Sequence, residues 1–541
     1  MRLAWLTLLL ALPALQAQRA TPLDLAAATA AAPCVGLGAL ATLSRSARIV
    51  GLGEATHGSA EFGRAKRQVI RCWLATAGIT TVAVEAPSAS WEPINRWVRS
   101  GEGNVDSLLA AQGFWMWNVL EMRELLGDLR DWNAAHPDRP VRVVGVDPKY
   151  PERSLRAVLD WSASAAPAIA ERFRPAVAGF PHDRASFMAW RALSREAQEG
   201  LVRPLLALPG AVEAASRTPG SPDTAWRRAR WDARVVAHAV AMQLEDPTNF
   251  ATDDVGAEIT LYLRLARSAR DVVAALSTRL EASTATRIAA RLSPLLGSYL
   301  PLTRDYARRW TDGERTALRD AVATTASVLR DTAVADAVVR RGARAVGDLV
   351  RALGYLESYV GRSTPPRAAR DTAMADLATL ALDEDGPDGR VVIWAHDYHV
   401  SRQPISFFEG TTMGGALAGR HGAAYVAIGF AFGQGGFLAE YYPVPDDAQP
   451  RVDRPGTVVA FSIPAPPVHS AEHRLLAMAS QPTIYWLTGQ APDWARTPLR
   501  FQRYGSGYAD PWYEQSRLTS VAADSFDALV WFPMVSPSTR R

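Results

Sequence analysis

The stretch that decides the reading is "IVGLGEATHGSAEFGRAKRQ", Ile49 to Gln68. It opens as a short apolar strand and closes as a charged helix. Glu54 and His57 sit three residues apart in the turn between them. The same apolar style recurs in Ala47–Leu52, Thr81–Glu85, Val141–Val146, Val391–Ala395, Tyr425–Phe430, Val458–Phe461, Thr483–Leu487 and Ala528–Phe532. Most of these runs are continuous rather than alternating, which is how strands read when both sheet faces are covered. Helical stretches at Glu61–Ala77 and Asn118–Asn133 separate the early ones, giving βαβ units. The expectation is an α/β fold: a largely parallel central sheet flanked by helices, with an additional helical subdomain.

That subdomain is expected from the middle of the chain. Strand pattern fades there, and stretches rich in Ala, Leu and Arg take over, as in Ala225–Leu244, Glu258–Leu276 and Thr316–Leu353. Residues 21–150 and 381–541 are read as the two parts of the α/β core and 151–380 as the mainly helical region. Residues 1–20 read as a signal peptide: Arg2, then apolar Leu3–Leu15, then small residues at Ala17 and Ala20. The expectation is a periplasmic or secreted protein with no transmembrane segment in its mature form. Cys34 and Cys72, the two cysteines, could then pair or remain buried thiols. The net charge of +4 over 541 residues, without a basic run or zinc-finger spacing, argues against a nucleic-acid partner. Nothing in the composition fixes an oligomeric state.

In open α/β sheets, ligands bind beyond the carboxyl ends of the strands. Polar residues fall there repeatedly: Glu54 and His57, Glu85, Asp147, then His396, Asp397 and His399. A histidine can take and return a proton near neutrality, and a carboxylate beside it can fix its tautomer. His57, Glu54, Glu85, His396 and His399 are therefore the candidate catalytic residues. Glu61, Lys66, Trp115, Trp117, Glu121 and Asp147 are the candidate substrate-binding residues. A G-x-S-x-G elbow is absent, and Ser506 in "RYGSGY" lacks its spacing. The glycines of "EGTTMGGALAGRHG" have no Walker A or dinucleotide spacing. The residues leave two chemistries open: direct activation of water by histidine, or a metal held by His57, His396 and His399 with Glu54 or Glu85.

"GLGEATHGSAEF", "VAVEAP", "WNVLEMRELLGDLRDWN" and "VVGVDP" resemble the erythromycin esterase family. "RDTAMAD" at Arg370–Asp376, "VVIWAHDYHV", "YVAIGFAF" and "FDALVWFPMVSP" continue the likeness, which runs from about Val50 to Pro537. The resemblance implies an α/β protein with a helical portion, some of whose relatives hydrolyse the lactone ring of macrolide antibiotics and so confer resistance. It gives His57 the role of general base and matches Glu54 and Glu85 to acidic site residues. His396 and His399 match a later histidine pair, and Lys66 stands where some members carry Arg. It implies no cofactor and a small-molecule ester or lactone as substrate. Two departures stand out: Asp397 replaces the usual Asn of the histidine motif, and Leu377 stands where many members have Asn. The alternatives are a metal-dependent hydrolase or peptidase in the same cleft, and a non-catalytic envelope binding protein.

Overall fold

The computed structural model describes residues 20–29, 31–38, 40–43, 47–180, 193, 195–215, 223–245, 368–405, 410–441, 457–489, 491–508, 510, 513 and 516–541. The expected helices Glu258–Leu276 and Thr316–Leu353 and most of the signal-like stretch lie outside the described residues.

Twelve strands are present among the described residues. In chain order they are β1 Ala20–Pro22, β2 Ile49–Leu52, β3 Thr81–Pro87, β4 Arg142–Asp147, β5 Val391–Trp394 and β6 Tyr425–Tyr441. They continue with β7 Val458–Ile463, β8 Thr483–Trp486, β9 Leu499–Gln502, β10 Gly507–Tyr508, β11 Arg517–Ser520 and β12 Ala528–Val535. Ten form one sheet in the order β1-β8-β12-β6-β2-β5-β3-β4, with β7 and β10 added to β6, while β9 and β11 pair separately. From β12 to β4 every neighbour is parallel. The eight apolar runs of the sequence all become strands of this sheet.

Continuous apolarity has a simple cause here. Along β5, Val392 and Trp394 enter one core while Val391 and Ile393 enter the other. Successive side chains point to opposite faces, so a strand covered on both sides needs apolar residues at every position. Helices Ala60–Ala77, Ser88–Ser100 and Leu120–Ala135 close the first face. Helix Ala368–Glu384 contributes Met374, Ala375 and Leu377 to the second. Helices Glu152–Ala165, Pro167–Ala178, Leu208–Ala215 and Asp223–Glu245 build a third core of their own, and Trp231 and Val235 of the last tie it to the sheet.

β6 runs eleven residues past its expected end at Phe430. Its first part lies between β2 and β12, and its last part pairs with β7. The change of partner passes through Gly435 at φ 113, where a Cβ would meet the Val535 carbonyl at 2.1 Å. Only glycine fits that backbone. Cys34 and Cys72 are joined by a disulfide that ties the N-terminal segment to helix Ala60–Ala77.

Removing this cross-link with Cys34→Ser or Cys72→Ser should lower the unfolding free energy by about 2–4 kcal/mol, read by urea titration, because a sizeable loop is no longer closed in the unfolded chain. The same loss is expected on adding a reductant to the wild-type protein.

Candidate active site

The strand order β2-β5-β3-β4 lines up four carboxyl ends. Glu54 and His57 follow β2, His396 follows β5, Glu85 lies in β3 and Asp147 ends β4. Residues separated by more than three hundred positions thus reach one edge. The Asp397 carboxylate fills the space beside Gly53: a Cβ there would lie 2.0 Å from Asp397 Oδ1.

Two hydrogen-bonded sets result. In the first, Glu54 is 3% exposed and Lys66 is fully buried. His57 Nδ1 is 2.6 Å from Glu54 Oε1. Lys66 Nζ and the Trp394 indole N–H both donate to Glu54 Oε2, at 2.5 and 2.9 Å. Burial pushes the Glu54 carboxyl up, but Lys66 and His57 outweigh it and hold the group anionic. Burial pulls the Lys66 ammonium below its ordinary range, and Glu54 beside it opposes that loss of charge. With Nδ1–H donated to Glu54, the lone pair of His57 lies on Nε2, which no described residue engages.

In the second set, His399 stands between two carboxylates: Nδ1 is 2.6 Å from Asp371 Oδ1 and Nε2 is 3.0 Å from Glu85 Oε1. Burial opposes its charge, but Asp371 and Glu85 win and push its pKa up to about 9. His399 is therefore an imidazolium at neutral pH. Arg370 donates to Asp147 Oδ2 at 2.7 Å and to Glu85 Oε1 at 2.9 Å. Its Nη1 lies 3.0 Å from His399 Nε2, a meeting of two donors that share Glu85. Burial would raise Glu85 and Asp147, yet His399 and Arg370 hold Glu85 well below the usual carboxylate range, and Arg370 and Lys149 hold Asp147 below it.

His396 sits between the sets, its ring centroid 5.0 Å from that of His57. Its backbone N–H donates to Glu85 Oε2 at 2.9 Å. Its Nδ1 accepts from the Tyr398 backbone N–H at 3.2 Å, so Nε2 carries the proton and donates to the Tyr504 carbonyl at 3.0 Å. Burial and the neighbouring His57 keep its pKa well below the ordinary histidine range. It is a neutral ring with both nitrogens committed. Beside it, burial pushes the Asp397 carboxyl up to about 6 against the pull of Arg503. Arg503 Nε is 3.1 Å from Asp397 Oδ2 but out of hydrogen-bond alignment, so the two attract as charges only.

The structure thus gathers Glu54, His57, Lys66, Glu85, Asp147, His396 and His399. Several of the residues expected at the substrate are engaged within the protein. Lys66 and Asp147 are committed to Glu54 and Arg370, and cannot offer a free charge to a ligand. Glu61 accepts from the Ser536 N–H and hydroxyl, both at 2.6 Å, and so anchors the C-terminal segment. Trp117 is 2% exposed and packs edge-on against Trp91, with Trp394 beyond it at 6.2 Å. Glu121 is 3% exposed at the start of helix Leu120–Ala135, packed beside Gly63. Trp115, 8% exposed, lies in a short 3-10 turn ahead of that helix. Sequence reasoning missed Arg370, Asp371, Trp394, Arg503 and Tyr504 as members of the site. The signals were the "RDTAMAD" motif, whose first two residues are Arg370 and Asp371, and "VVIWAHDYHV", which holds Trp394.

A parallel-sheet α/β body with histidines and buried carboxylates at its carboxyl edge has the make-up of a hydrolase. The family model for erythromycin esterase matches residues 74–260 and 254–535, and the chain belongs to that family. Glu54, His57 and Lys66 precede the matched span; Glu85, Arg370, His396 and His399 fall within it. Among solved structures, a protein from Bacillus cereus superposes with a TM-score of 0.64 at 17% identity, covering 97% of each chain. A succinoglycan biosynthesis protein gives 0.61 at 15% identity, over 97% of this chain and 96% of the other. A mutant of the erythromycin esterase EreC in its open conformation gives 0.52 at 15% identity, over 93% and 94%. At these identities the likeness is one of fold.

Because His399 binds its proton more tightly folded than unfolded, its contribution is full below about pH 6.5 and fades as the pH rises through about 9. The unfolding free energy should therefore fall by up to about 3 kcal/mol between those limits. Urea titrations across that range check it, and His399→Gln should flatten the slope.

Proposed function

We propose that this protein is an exported esterase that hydrolyses an ester or lactone with water activated directly by His57. The observation that carries the reading is the Lys66–Glu54–His57 chain, which leaves His57 Nε2 as an unengaged base. Glu54 fixes the tautomer and stabilises the imidazolium that forms, the task of a carboxylate in any carboxylate–histidine pair. Water gives a proton to Nε2 and attacks the ester carbonyl; the tetrahedral oxyanion collapses, and the leaving alcohol takes the proton back from His57. His399 and Arg370, each already paired with carboxylates, are assigned to holding Glu85, Asp147 and Asp371 in place at this edge. His396, with both nitrogens occupied, is assigned to holding the edge in shape.

The name of the related EreC supports a macrolide lactone as the first substrate to try. The Cys34–Cys72 bond supports export to the periplasm or beyond, since disulfides persist in oxidising compartments.

Incubating the purified protein with erythromycin should add one water to its mass, and His57→Ala should slow that gain by about 10²–10⁴-fold while keeping the fold. Turnover by His57→Ala near the wild-type rate would overturn the assignment of the base. No turnover of erythromycin, with turnover of simpler esters, would restrict the substrate and leave the mechanism standing.

A further inference from the structure

We infer that Trp394 is a positioning residue, which sets the general base by fixing the plane of the Glu54 carboxylate and by seating Lys66. This rests on the reading of His57 as the base and adds to it a residue that touches neither substrate nor water.

The register places Trp394 for this task. It ends β5 beside Leu52 of β2 on one side and Val84 of β3 on the other. Its ring therefore lies against the turn that carries Glu54. The indole N–H donates to Glu54 Oε2 at 2.9 Å, on the same oxygen that takes Lys66 at 2.5 Å. The other oxygen, Oε1, is left for His57 at 2.6 Å. The terminal torsion of a glutamate is broad, with no steric well to hold it. Only hydrogen bonds can stop the carboxylate turning, and two donors converging on Oε2 aim Oε1 at the imidazole.

The ring has a second use. Lys66 Nζ lies 4.6 Å from the Trp394 ring centroid and 5.6 Å from that of Phe430. A fully buried ammonium has lost its water, and the faces of two aromatic rings replace part of that solvation. One side chain thus supplies a donor to the anion and a π face to the cation of the same buried pair. Trp117 packs edge-on at 6.2 Å and is itself packed on Trp91, so the Trp394 ring is braced from behind. A tryptophan satisfies all of these contacts; phenylalanine keeps the face and has no N–H to donate.

The test is Trp394→Phe, read by proton and nitrogen NMR of the His57 ring and by steady-state hydrolysis. The wild-type protein should show a low-field Nδ1–H resonance from the hydrogen bond to Glu54. In Trp394→Phe that resonance should shift or broaden. On whichever ester the wild-type enzyme turns over, kcat should fall about 10–100-fold with KM little changed, as expected when a base is loosened and substrate binding is untouched. A folded Trp394→Phe with an unaltered His57 resonance overturns the inference, as does an unaltered kcat. A perturbed resonance in a protein that hydrolyses no ester even as wild type would uphold the positioning and overturn the proposed function. Should Trp394→Phe fail to fold, replacing Trp394 by benzothienylalanine, which keeps the ring shape and lacks the N–H, gives the same two outcomes.

Discussion

The structure turns on one buried carboxylate. Glu54 has left water almost completely, and an isolated anion could not remain charged there. Three donors from three different elements keep it ionised: His57 from its own turn, Lys66 from the following helix and Trp394 from β5. Each would be an unsatisfied or unneutralised buried group without the carboxylate. The demand runs both ways, and it ties β2, β5 and helix Ala60–Ala77 together at the sheet edge. Gly53 is part of the same constraint, because a Cβ there would displace the buried Asp397 carboxylate beside the Glu54 turn.

The second charged set follows the same rule with opposite emphasis. Glu54 gathers donors around an anion, whereas Asp371 and Glu85 gather around the His399 ring and keep it cationic. Arg370 then neutralises Glu85 and Asp147, whose own repulsion would otherwise oppose the arrangement. The two histidines nearest one another carry their protons on different nitrogens for reasons of bonding. His57 meets a carboxylate through one nitrogen, while His396 meets two backbone groups and stays neutral. An edge with one available base and one fixed cation follows from these partners.

Tyr504 shows how a segment far along the chain completes the edge. Its backbone N–H donates to the Ala55 carbonyl at 2.7 Å and its carbonyl accepts from His396. One residue's backbone therefore clamps the β2 turn and the β5 turn. The side chain stacks on Phe437, within the core that β6 reaches by running past its expected end. The extension of β6 and the closure of the site are one feature.

The sequence by itself determined the strands and much of the site. Strands buried on both faces have to be apolar at nearly every position, so β2 to β6, β8 and β12 stand out where they enter the large sheet, while β7 keeps one face exposed. Glu54, His57, Glu85, Asp147, His396 and His399 were legible because the carboxyl end of a parallel strand is where polar groups become useful. Only the tertiary structure decided which of them meet. Strand order is set by pairing between distant segments, and it alone puts β5 between β2 and β3. Arg370 and Asp371 start a helix, where a charged pair reads as a solvated end until the sheet edge is seen above it. Lys66 and Trp117 looked like substrate contacts, and packing buried both. Charge state was the least legible of all, because the same imidazole is neutral beside two backbone groups and cationic between two carboxylates, and those partners come from elements far apart in the chain.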